Sequence, residues 1–130
     1  MRGRGARSGW FLLAVLVGLG GAATPVSAES GIAAVYSYHR GRTASGEAAR
    51  PAGLTAAHRT LPFGTMVRIT NHRNGHTVVV RINDRGPFTR GRVIDLTPAA
   101  AGKLGFSGLT RVTLDVIEKG QRTTVKAAEN

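Results

Sequence analysis

The chain has 130 residues, enough for one domain and not for two. Hydrophobic residues make up 42% and charged residues 19%, which excludes an intrinsically disordered chain. Lys and Arg number 18 against 7 Asp and Glu, a net charge of +11, and there is no cysteine, so neither a disulfide scaffold nor a thiolate metal site is open to it.

The N-terminal stretch reads as an export signal. Arg2, Arg4 and Arg7 precede an apolar core from Trp10 to Leu19, and Val26-Ser27-Ala28 supplies small residues for a signal peptidase. A retained membrane anchor is the other reading. The apolar run is interrupted by Gly18, Gly20 and Gly21 and falls short of the roughly 20 residues a span needs. We therefore expect a signal peptide over residues 1–28, a folded domain over 29–119 and a flexible tail over 120–130. Removing Arg2, Arg4 and Arg7 lowers the net charge from +11 to +8. A basic exported protein meets polyanionic envelope polymers rather than nucleic acid. A merely solvated basic surface is the plainer account of the same charge.

With 18 glycines the chain favours turns between strands over a helical bundle. Glu29-Ser30 reads as an exposed lead-in. Gly31 to Tyr38 alternates as a first strand, with Ile32, Ala34, Tyr36 and Tyr38 on one face. His39 to Gly53 lacks a period and is read as a loop. Leu54 to His58 is short and semi-apolar, and Leu61 to Thr65 is a turn. Met66 to Asn71 is an alternating strand. Asn74-Gly75 predicts a two-residue hairpin turn with positive φ at both positions, followed by a return strand over Thr77 to Asn83. Gly86-Pro87 turns the chain, and Arg92 to Leu96 is another strand. Thr97 is a helix cap, Pro98 to Leu104 a short helix, and Gly105 its stop. Arg111 to Glu118 is the last strand, with Val112, Leu114 and Val116 facing in. Five or six strands and one short helix at this length close best as a small barrel, which leaves no exposed edge.

Two strands in the segment Val78 to Ala101 each hand over a carboxylate, Asp84 and Asp95, beside a glycine turn. A β scaffold usually places chemistry there. Metal binding has little support, since there is no cysteine, no H-E-x-x-H and no acidic loop of calcium type. No cofactor site is indicated either.

The stretches G-I-A-A-V-Y-S-Y, T-A-S-G-E, L-T-A-A-H-R-T-L-P-F-G-T, V-R-I-T-N, N-D-R-G-P-F and G-R-V-I-D-L-T-P-A-A-A occur in the order seen in the rare lipoprotein A (RlpA) family. The chain resembles that family from Gly31 to Glu118. The resemblance implies a mainly β fold, a small six-stranded double-psi β-barrel with one short helix, shared with expansins. It also implies a lytic transglycosylase that cleaves peptidoglycan glycan strands, with a preference for peptide-poor glycan. Many family members carry a lipidated cysteine and a sporulation-related repeat domain. This sequence has no cysteine, so neither a lipid nor a stable membrane anchor is expected. A periplasmic or envelope-associated monomer is.

Lytic transglycosylation needs one group that acts first as acid and then as base, in a partly dry cleft that raises its pKa. In the stretches that match the family the acids are Glu47, Asp84 and Asp95, and the resemblance implies that these, with His58, are catalytic. Glu29 and Glu129 fall in expected tails, and Asp115 on a solvated strand face. Each candidate has a structural alternative: Asp84 pairing with Arg85 or capping its turn, Asp95 capping the helix, Glu47 as a plain solvated acid, His58 as a packed histidine. Tyr36, Thr43, Ser45 and Arg85 are the expected sugar contacts. Tyr36 and Tyr38 would stack on pyranose rings or else pack in the core. The second reading of the whole is a non-catalytic, expansin-like wall-loosening module. A third, an inhibitor barrel of the plant-defence kind, is argued against by T-A-S-G-E together with N-D-R-G-P-F.

Overall fold

A computed structural model describes residues 28–36 and 41–120 of the chain. The expected signal segment before Ala28, Tyr38, and the tail from residue 121 lie outside the described residues. Six strands and one helix follow in order: β1 (Ala28–Val35), β2 (Thr55–Ala57), β3 (Met66–Asn71), β4 (Thr77–Asp84), β5 (Arg92–Leu96), α1 (Pro98–Leu104) and β6 (Leu109–Glu118). The strands close into a barrel in the order β1-β5-β2-β4-β3-β6. The pairs β1/β5 and β2/β4 are parallel, and the other four are antiparallel.

Alternation fills the barrel. Val67 and Ile69 on β3, Val80 and Ile82 on β4, Ile94 and Leu96 on β5, and Val112 and Leu114 on β6 are buried, and their β-branched or branched side chains suit a pleated surface. Each such residue, fully buried, stabilises the fold by about 1.5–3 kcal/mol relative to exposure. Helix α1 closes one end with Ala100, Ala101 and Leu104. Thr97 caps it by accepting from the Ala100 N–H, and also donates to the Gly53 carbonyl. Gly105 ends it at φ 75°, a left-handed position that favours glycine.

Met66–Asn71, Arg92–Leu96 and Pro98–Leu104 match the boundaries read from the sequence. Three expectations need correction. The first strand is Ala28–Val35, so Glu29 sits inside it, opposite Leu114, and not in a lead-in. Burial along it does not alternate as expected: Ile32 is half-buried while Ala33 and Ala34 are both buried. The cause is a register shift against β5. Ile32 pairs with Arg92 and Ala33 with Ile94, so β5 advances two residues for one of β1. The skipped residue, Val93, lies over Gly31, where a β-carbon would come 2.4 Å from its Cγ1.

The third correction concerns the hairpin. Residues 72–76 connect β3 and β4, and Gly75 has φ 79° while Asn74 does not share a positive φ. Asn74 is used differently: its Oδ1 accepts from the His76 N–H and its Nδ2 donates to the Leu104 carbonyl. The turn is thereby fastened to the C-terminal end of α1. Asn71 completes that joint. It is fully buried, its Nδ2 donates to the Leu104 carbonyl, and its Oδ1 accepts from the Thr110 hydroxyl and the Arg73 N–H. Replacing Asn71 by Ala strands the buried Thr110 hydroxyl, and unmade buried hydrogen bonds cost more than made ones return. We expect Asn71→Ala to lower stability by about 2 kcal/mol. In urea denaturation this appears as a lower midpoint with an unchanged slope.

Candidate active site

The site begins with a second register shift. On β2, Ala56 pairs with Ile82 but Ala57 pairs with Asp84, so β4 advances two residues for one and Asn83 is the extra one. Ile82 stays in the core. Arg81 and Asp84 therefore share the outer face, which simple alternation along β4 would forbid. Ala57 also pairs with Asp95, and Asp95 with Ala34. One row thus crosses four strands as Asp84, Ala57, Asp95, Ala34. With neighbouring strands about 4.8 Å apart, the two aspartates stand about 10 Å apart at the backbone. Only the small, buried Ala57 separates them.

Asp84 is held by uncharged donors. The Tyr36 hydroxyl donates to Oδ2; the N–H groups of Ala44 and Arg85 donate to Oδ1 at 2.8 and 2.9 Å. Tyr36 follows β1, where its own N–H bonds the Leu96 carbonyl, so its side chain joins the end of β1 to β4. The Ala44 donor comes from the tight turn of the 41–53 loop. That turn is built by Thr43 and Ser45, whose hydroxyls bond each other at 2.9 Å, and the Glu47 N–H donates to the Ser45 hydroxyl. The Ser45 N–H also reaches the Asn83 carbonyl.

Asp95 and Glu47 are each ion-paired. Arg92 Nη2 lies 2.9 Å from Asp95 Oδ1, a contact across three residues that the register shift at Val93 allows. Glu47 receives Arg81 Nη1 at 2.9 Å and Asn83 Nδ2 at 2.8 Å. The Asn83 hydrogen bond is the main cause that holds the Glu47 carboxyl below its ordinary value, against desolvation that would raise it; Arg81 and then Arg50 add to the lowering. Glu47, Arg50, Arg81 and Asn83 line a groove of about 410 Å³ floored by Met66 and Val79. Asp84 and Asp95 lie on the same outer face but outside that lining.

His58 is buried and both its ring nitrogens are engaged. Nδ1 accepts from the N–H groups of Thr60 and Leu61 at 3.1 Å each, and Nε2 lies 2.8 Å from Glu29 Oε1. Nδ1 therefore bears the lone pair and Nε2 the hydrogen. Arg85, expected at the sugar, turns inward. Its Nη1 donates to the carbonyls of Leu61 and His58, and its guanidinium lies 4.0 Å over the Phe63 ring. Reading the sequence alone missed Glu29, Arg81, Asn83 and Arg92. It also passed over Phe88, which is 79% exposed in the loop after Asp84.

A closed six-stranded barrel with two parallel pairs and one capping helix is a double-psi β-barrel. Solved structures with this shape include the Streptomyces papain inhibitor, at TM-score 0.59 and 24% identity over 72% of this chain and 98% of that one. An expansin of Clavibacter michiganensis matches at TM-score 0.56 and 21% identity, over 74% and 53%. At such identities the likeness is one of fold. The profile of the lytic transglycolase family matches residues 28–126. The chain belongs to that family, and its sequence relatives are RlpA proteins. It is 56% identical over 101 residues to a probable endolytic peptidoglycan transglycosylase RlpA of a Synechocystis species. It is 53% identical over 91 residues to the endolytic peptidoglycan transglycosylase RlpA of Escherichia coli K12. Those matches cover 75% and 68% of this chain but 32% and 25% of the relatives, so the chain spans about a third or less of their length.

The lowered Glu47 value fixes a pH signature. A carboxyl whose folded value lies below its ordinary 4.5 contributes stability above that pH and loses it as pH falls through the folded value. Compared with Glu47→Gln, the unmodified protein should hold a constant advantage in denaturation midpoint at neutral pH. The advantage should shrink below pH 4.5 and then vanish. An advantage that persists at lower pH would exclude the ionised Glu47 carboxylate, held by Asn83 and Arg81, as its source.

Proposed function

We propose that this chain is an exported endolytic lytic transglycosylase of the bacterial envelope. It cleaves the bond between N-acetylmuramic acid and N-acetylglucosamine and leaves a 1,6-anhydro end. The names of the RlpA relatives support this reading. The observation that carries it to particular residues is the contrast among the acids. Among the described residues the Asp84 carboxylate is in no ion pair, whereas Glu47 and Asp95 are ion-paired. A proton can move on and off Asp84 without breaking an ion pair.

In the protonated form Asp84 gives its proton to the glycosidic oxygen as the bond to the muramic C1 breaks. The muramic 6-hydroxyl then attacks C1, and the Asp84 carboxylate takes the hydroxyl proton. The acid is regenerated and no water is consumed. The Tyr36 hydroxyl and the two N–H donors hold the carboxylate in place through both transfers. Glu47, kept ionised by Asn83 and Arg81, supplies negative charge where positive charge develops at C1. Asp95, tied to Arg92, stands on the same outer face one strand beyond Ala57, within reach of a neighbouring sugar of the glycan strand. The exposed ring of Phe88 offers an apolar face to a pyranose. A signal peptide over residues 1–28 delivers the basic domain to a polyanionic wall, where it works as a monomer on peptide-poor glycan.

The purified protein, incubated with intact and amidase-treated sacculi, should release 1,6-anhydro-muropeptides detectable by mass spectrometry. Asp84→Asn should reduce that release by about 100-fold or more while sacculus binding persists. Phe88→Ala should raise KM and leave kcat in place. Binding without release by the unmodified protein, where another lytic transglycosylase is active, would leave the expansin-like module in place of the enzyme.

A further inference from the structure

Resting on the reading above, we infer that Glu29 is a positioning residue for Asp84, acting through the ring of His58. Glu29 is the second residue of β1 and is anchored by its register with Leu114 on β6. Its Oε1 meets His58 Nε2 at 2.8 Å. Its side chain is 49% exposed, whereas that of His58 is 7% exposed, so the carboxylate closes over a buried ring from the solvent side.

The contact decides what the other nitrogen does. With the hydrogen on Nε2, Nδ1 is free to accept from Thr60 and Leu61, and those two bonds shape the turn after β2. The turn in turn presents the carbonyls of His58 and Leu61 to Arg85 Nη1 at 3.2 and 2.9 Å. Arg85 is thereby pinned, and its own N–H is one of the two amides on Asp84 Oδ1. A second path is shorter: the His58 N–H donates to the Asp84 carbonyl at 3.1 Å. Both paths converge on the residue that moves the proton. The opposite tautomer would put a hydrogen on Nδ1, facing two N–H groups, and would leave Glu29 without a donor. Glu29 excludes it.

No step of the reaction passes through Glu29, so the test separates position from chemistry. Long-range nitrogen–proton NMR on histidine-labelled protein reads the tautomer of each of the 4 histidines. His58 should show the hydrogen on Nε2, protected from exchange. In Glu29→Ala that proton should exchange about 10-fold faster or more, because its acceptor is gone. The amide signals of Thr60, Leu61, Asp84 and Arg85 should shift, while those of β3 and α1 stay in place as evidence of an intact fold. On amidase-treated sacculi, kcat should fall about 10-fold with KM within about 2-fold. Glu29→Gln keeps an oxygen acceptor at the same reach and should restore kcat to within about 3-fold of the unmodified protein. Unchanged Asp84 and Arg85 signals in Glu29→Ala would overturn the inference, as would an Nδ1–H tautomer in the unmodified protein. Should the unmodified protein release no anhydro product, the enzymatic reading fails, and the spectra alone still decide whether Glu29 sets the His58 ring.

Discussion

Where β2 takes one step, β4 takes two, and the direction of the Asp84 carboxylate follows from that mismatch. Were Asn83 paired in regular alternation, with no bulge, Asp84 would fall on the same side as Ile82 and enter the core, where an ionised carboxylate with no partner costs far more than one hydrogen bond returns. With it, Ile82 remains inside, Arg81 and Asp84 share the outer surface, and Asn83 is left at the bend with its amide on Glu47. The matching shift between β1 and β5 does the same for Arg92 and Asp95. Both shifts lie on parallel pairs, and both bring charged groups to the same stretch of barrel wall. The barrel thus keeps a continuous apolar interior and still carries its acids in one row.

The two carboxylates of the row and Glu47 from the 41–53 loop stand in three different environments. Arg92 neutralises Asp95, and Arg81 with Asn83 holds Glu47 ionised. Asp84 is fixed by a hydroxyl and two amides. Groups with separate surroundings can take separate roles on one sugar, which is how paired acids divide labour in glycoside chemistry generally. The turn of the 41–53 loop connects these environments. Glu47 binds β4 on one side of it and the Ala44 N–H binds Asp84 on the other, so neither acid can move independently of the loop.

The sequence made much of this legible, for reasons that differ by residue. Met66 to Asn71, Arg92 to Leu96 and Pro98 to Leu104 carry strong local signals: alternation, a cap, a proline in the first turn and a stopping glycine. Asp84 and Asp95 stand out because a carboxylate at a strand end beside a glycine turn is where a β scaffold usually places chemistry. The register shifts were not legible, because pairing partners lie far apart in the chain, as Ala56 and Ile82 do. That is why the burial of Ala33 beside Ala34 came out wrong. Asn74 misled for a related reason. Its side chain answers to the Leu104 carbonyl, a tertiary contact, and the local preference for positive φ is overridden.

Glu29 was passed over because a polar residue before the first clear alternation resembles an exposed lead-in. Its strand is defined by what pairs with it, β6 on one side and β5 further along, and neither is near in sequence. His58 and Arg85 raise the same question of long-range partners. Both drew notice as chemically capable side chains in family-like stretches, yet both point into the protein and satisfy backbone groups. A residue can be needed for a reaction because it touches the sugar, or because it holds the group that does. A sequence motif looks the same in the two cases, and only the direction of each hydrogen bond tells them apart. Here the bonds of His58 and Arg85 run toward the turn after β2 and toward Asp84, so in the proposed reaction their part is to hold that carboxylate in position.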